Sequence, residues 1–424
     1  MKMRLCVMVM IAGWLGSMPV VRAGETAEIG WPQVLEAARA RHPELRAADA
    51  AVSAQEGALQ QSRSRPNPEL GLTVENVAGS GGYGGARQAE STLELRQPLE
   101  LGGKRDARTK AATLSLERSR RERDFKAVEI EIDARRAFIE ALAAQSLHEE
   151  AGKARQLAED VRNTVREKVD AGKVSPVELL KANAAMSDAT SVSDKAGERW
   201  NAARSSLAVW LGSAAAPFAR VKGTLVWDRT SLSLENLLQD IPQSPSVAGA
   251  LGAADEYAAL ARVEERRRIP DVTVGAGYRH LSGTEDHALV FSLSLPLPVS
   301  NRNRGAMKSA QSRAEESVAL REAAERRVRQ RVHELWGQLS AAQSEATRLH
   351  SESLPAWEQA FAATLEGYRS GKFTYLDTLE AQRSLLRARE QWIESTAQAW
   401  RSWLSLAQLL GKNPDVTAVL SKTF

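Results

Sequence analysis

The chain has 424 residues, a net charge of +4 from 57 basic and 53 acidic side chains, and one cysteine, Cys6. Lys2, Arg4 and Arg22 sit in a leader-like start that holds no acid, so the rest of the chain is nearly balanced and offers no basic footprint for nucleic acid. Cys6 lies in that same start, which leaves the remainder with neither a disulfide framework nor a thiolate metal site.

Residues 1–23 read as a secretory signal peptide: Lys2 and Arg4, an apolar run over 5–15, then Val21-Arg22-Ala23 at a small-residue cleavage site. The run is short for a membrane span, and an uncleaved anchor is the competing reading. Cys6 comes too early to be a lipidation site. No later segment reaches about 18 consecutive apolar residues, so no helical span is predicted. A leader without spans leaves the periplasm, the exterior, or an outer-membrane β-barrel.

Residues 32–64 read as a helix that ends before Pro66 and Pro68. Two strands follow. Residues 69–77 alternate Leu70, Leu72 and Val74 against Thr73 and Glu75, and 91–97 alternate Leu93 and Leu95 against Glu94 and Arg96. From 103 to 171 there is no proline, and apolar residues recur at helical steps from Phe125 through Ile132, Ile139, Val161 and Val165 to Val169. A helix of that length is about 100 Å long at 1.5 Å per residue, which implies coiled-coil-like packing. Gly172 then marks a left-handed cap, and a return helix is predicted over 176–211. The first pre-strand helix and this return helix, laid end to end, would match the long helix beside them.

The chain then repeats itself. Residues 169–212 align without a gap on 368–411 at an offset of 199, and 97–112 lie over 295–310 at an offset of 198. His42-Pro43-Glu44-Leu45 lies over Ser244-Pro245-Ser246-Val247. Such a period is a duplicated domain-sized unit, not a solenoid repeat. The expected organisation is a first repeat over 24–212, a linker or equatorial segment over 213–243, a second repeat over 244–411 and a tail over 412–424. In the second repeat a helix over 244–268 precedes strands over 271–280 and 288–295. A long helix over 303–370 follows, interrupted at Gly337, Pro355 and Gly367, and a return helix over 375–410 closes the unit. Four strands with one apolar face cannot close a barrel alone. A homotrimer would pool twelve, an even number suited to an outer-membrane barrel, whereas a water-soluble sheet packed on helices is the alternative.

Arg-Pro-Asn-Pro-Glu-Leu (65–70), Pro-Leu-Glu-Leu-Gly-Gly-Lys-Arg (98–105), Ala-Gly-Lys-Val-Ser-Pro-Val-Glu (171–178) and Gly-Lys-Phe-Thr-Tyr-Leu-Asp (371–377) carry a resemblance. With the leader and the duplicated halves, the chain resembles the TolC family of outer-membrane efflux channels, and within it the cobalt–zinc–cadmium branch. The resemblance implies a mainly α protein with a small β part. Three chains would form a twelve-stranded outer-membrane barrel that continues into a long periplasmic α-helical barrel in a Gram-negative bacterium. It also implies outer-membrane lipid around the strands and docking to a periplasmic adaptor and an inner-membrane proton-driven pump of the resistance–nodulation–division type. This chain would be the passive exit duct, with divalent metal cation as cargo. A duct for organic compounds or secreted proteins is the alternative within the family, and a periplasmic adaptor or coiled-coil scaffold is a more distant one.

No catalytic constellation and no cofactor motif is visible, so an enzyme is the weakest reading. His280, Glu285, Asp286 and His287 form the densest group of ligand-type residues, read either as a weak metal site or as a solvated outer loop. Gly172, Lys173, Gly371 and Lys372 are the expected adaptor-facing tips, with plain turn chemistry as the competing account. By the resemblance, Glu178, Tyr368 and Asp377 fall where family members narrow the tunnel at its periplasmic end. Phe373 stands where some relatives carry arginine. Ser175 and Glu178 also fit a capping box, and Thr374 and Asp377 a near-version of one.

Overall fold

The structure, a computed structural model, describes residues 28–227 and 232–413. The expected signal peptide lies outside these residues, as do nearly all of the tail and four residues of the 213–243 segment.

The first half begins with β1 (Glu28–Ile29), α1 (Trp31–Arg41) and α2 (Pro43–Arg63). Sequence periodicity suggests one helix here, but it divides at His42, whose ψ of 124° is extended. Pro43 is the cause, because its ring disfavours helical geometry in the residue before it. β2 (Glu69–Glu75) and β3 (Glu90–Leu99) form a hairpin, and α3 (Lys104–Asp170) runs for 67 residues. α4 (Pro176–Trp210) returns along it. α1 and α2 cover the first part of α3: Arg120 reaches Glu56 and Trp31 packs edge-on to Phe138. α4 covers the remainder, and His42 stacks on Trp210 where the two shorter pieces meet.

After α4 the chain crosses the waist of the molecule. β4 (Arg220–Val221) pairs parallel with β1, and the buried Gln145 side chain accepts from the Val221 N–H at 2.7 Å and donates to its carbonyl at 3.3 Å. A short α5 (Leu234–Gln239) leads into the second half. That half has α6 (Pro245–Arg267), β5 (Val272–Leu281), β6 (Asp286–Ser294), α7 (Arg304–Arg348), α8 (Leu354–Arg369) and α9 (Tyr375–Leu410). Of the three interruptions expected in the second long helix, only the one at Pro355 is visible. A π-helical turn over Leu349–Ser353 joins α7 to α8. Pro355 has no N–H to bond the carbonyl four residues back and its ring crowds that position, so the ladder widens. Gly337 and Gly367 stay helical.

The four long strands form one antiparallel sheet in the order β2-β3-β5-β6. β2 and β6 are its open edges. One face carries Leu70, Leu72, Leu93, Leu95, Tyr278, Leu289, Phe291 and Leu293, all largely exposed in the single chain. The other face is polar. Arg96 and Ser292 both donate to Glu94, while Arg279 reaches Glu90 at 2.9 Å and Thr92 at 2.9 Å. A sheet with apolar side chains outward and charges inward is the pattern of a strand set facing lipid on one side and a polar lumen on the other. Among the described residues no helix is long and apolar enough to cross a membrane.

The main apolar core lies at the waist, where Phe138, Ile139, Leu142, Leu207, Leu339 and Trp400 are fully buried. Alanines at 134, 141, 143, 151, 154 and 158 on α3 let neighbouring helices approach closely. The halves are tied by charge as well. Arg401 on α9 grips Glu140 on α3 with two bonds of 2.5 and 2.9 Å.

Candidate functional site

The far ends of both helical hairpins form the candidate site. α3 ends in a Schellman turn. Gly172 takes a left-handed φ of 66°, and the Lys173 N–H bonds the Lys168 carbonyl at 2.8 Å. α8 ends the same way, with Gly371 at φ 80° and the Lys372 N–H on the Gly367 carbonyl at 2.7 Å. Only glycine takes this conformation without a Cβ penalty, so the chain reverses where the sequence places Gly172 and Gly371. All four tip residues are solvent-exposed.

Just inside the tips, the two hairpins meet. Tyr368 at the end of α8 is 2% exposed, and its hydroxyl donates to the Glu178 carboxylate on α4 at 3.2 Å. The Tyr368 ring packs edge-on against Tyr375 at 6.0 Å. Lys168 on α3 lies over the ring, 4.2 Å from its centroid, and also donates to the Tyr368 carbonyl. Below them, Val161, Val165, Ala182 and Leu379 close a small apolar cluster shared by both halves. Burial, with the Glu178 charge second, holds the Tyr368 hydroxyl well above its ordinary pKa, and burial pushes Tyr375 the same way. Tyr368 therefore stays a proton donor throughout the physiological range.

The helix starts reverse the roles expected of them. Ser175 caps α4, but its hydroxyl accepts from the Val177 N–H at 3.3 Å, and the Glu178 side chain turns away to Tyr368. The complete capping box is at Thr374 and Asp377. The Asp377 N–H donates to the Thr374 hydroxyl at 3.3 Å, and the Asp377 carboxylate accepts the Thr374 N–H at 2.8 Å and its hydroxyl at 2.6 Å. The Thr374 hydroxyl, then its backbone N–H, hold the Asp377 carboxyl below its ordinary pKa. The structure thus brings Glu178 and Tyr368 together and leaves Asp377 at its own helix start. Phe373 lies over Gly367, where a Cβ would overlap its ring.

Sequence reasoning missed Lys168 and Tyr375. Lys168 is one of several basic residues near the end of α3, and nothing in the pattern separates it from Arg166. Tyr375 follows a cap residue, which marks it as a first-turn position but not as a buried one. Among the described residues, no group of three or more His, Cys, Asp or Glu is placed to hold a metal ion.

The family model described as "Outer membrane efflux protein" matches residues 34–213 and 238–412. The chain is 31% identical to the "Cobalt-zinc-cadmium resistance protein CzcC" of Cupriavidus metallidurans over 87% of this chain and 86% of that one. It is 27% identical to the "Nickel and cobalt resistance protein CnrC" of the same organism over 71% and 70%. Among solved structures, the outer membrane protein VceC of Vibrio cholerae superposes with a TM-score of 0.71 at 21% identity, covering 91% of this chain and 97% of that one.

Proposed function

Because the chain belongs to the outer membrane efflux protein family, we propose that it is the exit duct of a three-part export system with divalent heavy-metal cation as its cargo. The location is the outer membrane, with the helical part in the periplasm. The observation that carries the cargo reading is the likeness to CzcC along most of both chains. The active form is a homotrimer, in which three four-stranded sheets share one barrel. Its partners are a periplasmic adaptor and an inner-membrane pump driven by protons. The domain reading is two efflux repeats, 24–212 and 244–411, joined by an equatorial segment. The protein transports and does not catalyse.

The adaptor docks on the tips at Gly172, Lys173, Gly371 and Lys372, and Glu178 and Tyr368 narrow the periplasmic entrance. Support comes from the exposed glycine turns and from the bond between Tyr368 and Glu178, which ties one hairpin to the other. Asp377 adds an exposed negative charge at the start of α9, which it caps. Around a threefold axis, such charges would draw cations to the entrance.

Deleting the gene tests the cargo. Growth should become sensitive to zinc, cadmium or cobalt, with dye and antibiotic tolerance nearly unchanged. The opposite pattern would favour a duct for organic compounds.

A further inference from the structure

The registers of the sheet define rows of side chains on its apolar face. One row is Leu72, Leu93, Tyr278 and Leu289, and the next row toward the β5–β6 turn is Val74, Ser91, His280 and His287. The last row therefore sits at the outer limit of the apolar band, beside the aromatic ring of Tyr278. His280 and His287 are direct cross-strand partners. Antiparallel pairing fixes such partners with Cβ atoms about 4.5–5.5 Å apart. Their rings lie at 30° to one another with centroids 5.0 Å apart, and their Nδ1 atoms approach to 3.3 Å, so the two nitrogens are on the sides of the rings nearest each other. Tyr278 stacks on His287 at 5.3 Å and steadies its orientation.

A separation of 3.3 Å is at the long end for a hydrogen bond between two imidazole nitrogens. It does match one edge of a tetrahedral metal site, because two nitrogens each about 2.0–2.1 Å from a zinc-sized ion stand roughly 3.3–3.4 Å apart. We propose that His280 and His287 form a two-imidazole clamp for a divalent transition-metal cation on the outward face of the barrel rim, with water filling the remaining positions. Imidazole favours zinc, cobalt, nickel and copper over magnesium and calcium, which prefer oxygen. The neighbouring Asp286 and Arg279 alternate onto the opposite face. With only two protein ligands, the site exchanges its ion readily. It lies outside the polar face, so it binds metal at the mouth without standing in the conduit. The clamp rests on pair geometry and is independent of what the duct exports.

The test is metal titration of the detergent-solubilised full chain. Copper(II) should bind at one ion per chain, and its paramagnetic resonance spectrum should show two imidazole nitrogens. H280Q and H287Q should each weaken cobalt(II) binding by roughly ten- to a hundredfold, as loss of even an outer-shell partner can do, and the double variant should bind no more tightly than either single one. H333Q, on an exposed helix position, should bind as the natural chain does. Cobalt affinity in H287Q within twofold of the natural chain would overturn the clamp. A copper spectrum with a single nitrogen, or an equal loss in H333Q, would do the same.

Discussion

The Tyr368 hydroxyl ties the two hairpins through its bond to Glu178, so Tyr368→Phe isolates that bond while keeping the ring and the backbone carbonyl that Lys168 reaches. A hydrogen bond to a charged partner contributes about 1.5–3 kcal/mol, and the partly open site reduces this toward about 1 kcal/mol per chain. The expected result is a small drop in thermal stability with a clear rise in resting single-channel conductance. Unchanged conductance would remove Tyr368 and Glu178 from the entrance. Because the folded-state pKa of Tyr368 is raised, its contribution is fully present below the free tyrosine value of about 10 and is lost only as pH rises through the folded value. Conductance should therefore not rise with pH between 7 and about 9.5.

The cap of α9 behaves oppositely with pH. The Asp377 carboxyl is depressed, so its contribution is present above the ordinary aspartate value of about 3.9 and is lost as pH falls through the lower folded value. Thr374→Ala should cost about 1 kcal/mol and speed amide exchange in the first turn of α9. Glu178→Ala should leave the first turn of α4 as protected as before, since Ser175 caps it without Glu178. Faster exchange there would restore the capping role to Glu178. The three-residue spacing was legible at both sites. What the sequence could not display is that Tyr368, 190 residues away, competes for the Glu178 carboxylate.

At the scale of elements, the strands were legible because period-two alternation is strong over seven to ten residues. The long helices were legible because their apolar steps continue over many turns. The β1–β4 bridge was not, since two residues carry no periodicity and the pairing depends on Gln145 reaching across from α3. The break at Pro355 was legible as an interruption, but proline alone does not distinguish a kink from a π-helical turn. The two faces of the sheet make a direct prediction. Phe291→Arg, in the middle of the apolar face, should cost about 2–4 kcal/mol if that face meets hydrocarbon. Thr73→Arg, on the polar face, should be tolerated. The yield of folded, heat-resistant protein on unheated gels measures both, and equal tolerance of the two would mean that the apolar face does not meet lipid.

At the scale of the whole molecule, duplication gives each half a hairpin of strands and a hairpin of helices, and the waist fastens them. Arg401 to Glu140 and Arg389 to Glu150 cross between halves, and Tyr368 to Glu178 repeats the tie at the tips. The sheet remains unfinished in one chain, with β2 and β6 exposed as edges and a broad apolar face beside them. A membrane does not tolerate open strand edges, so closure must come from other copies of the same chain. In an up-and-down meander β6 of one protomer runs antiparallel to β2 of the next, and a rotation that closes makes a ring of fixed size. Cysteines introduced in pairs on the two edges, at Gly71 or Thr73 on β2 and at Val290 or Ser292 on β6, test this directly, with Cys6 the only natural cysteine. Oxidation of the membrane-embedded protein should give crosslinked species that stop at three chains. Monomers under every pairing, or a ladder running past three, would contradict a barrel built from three chains.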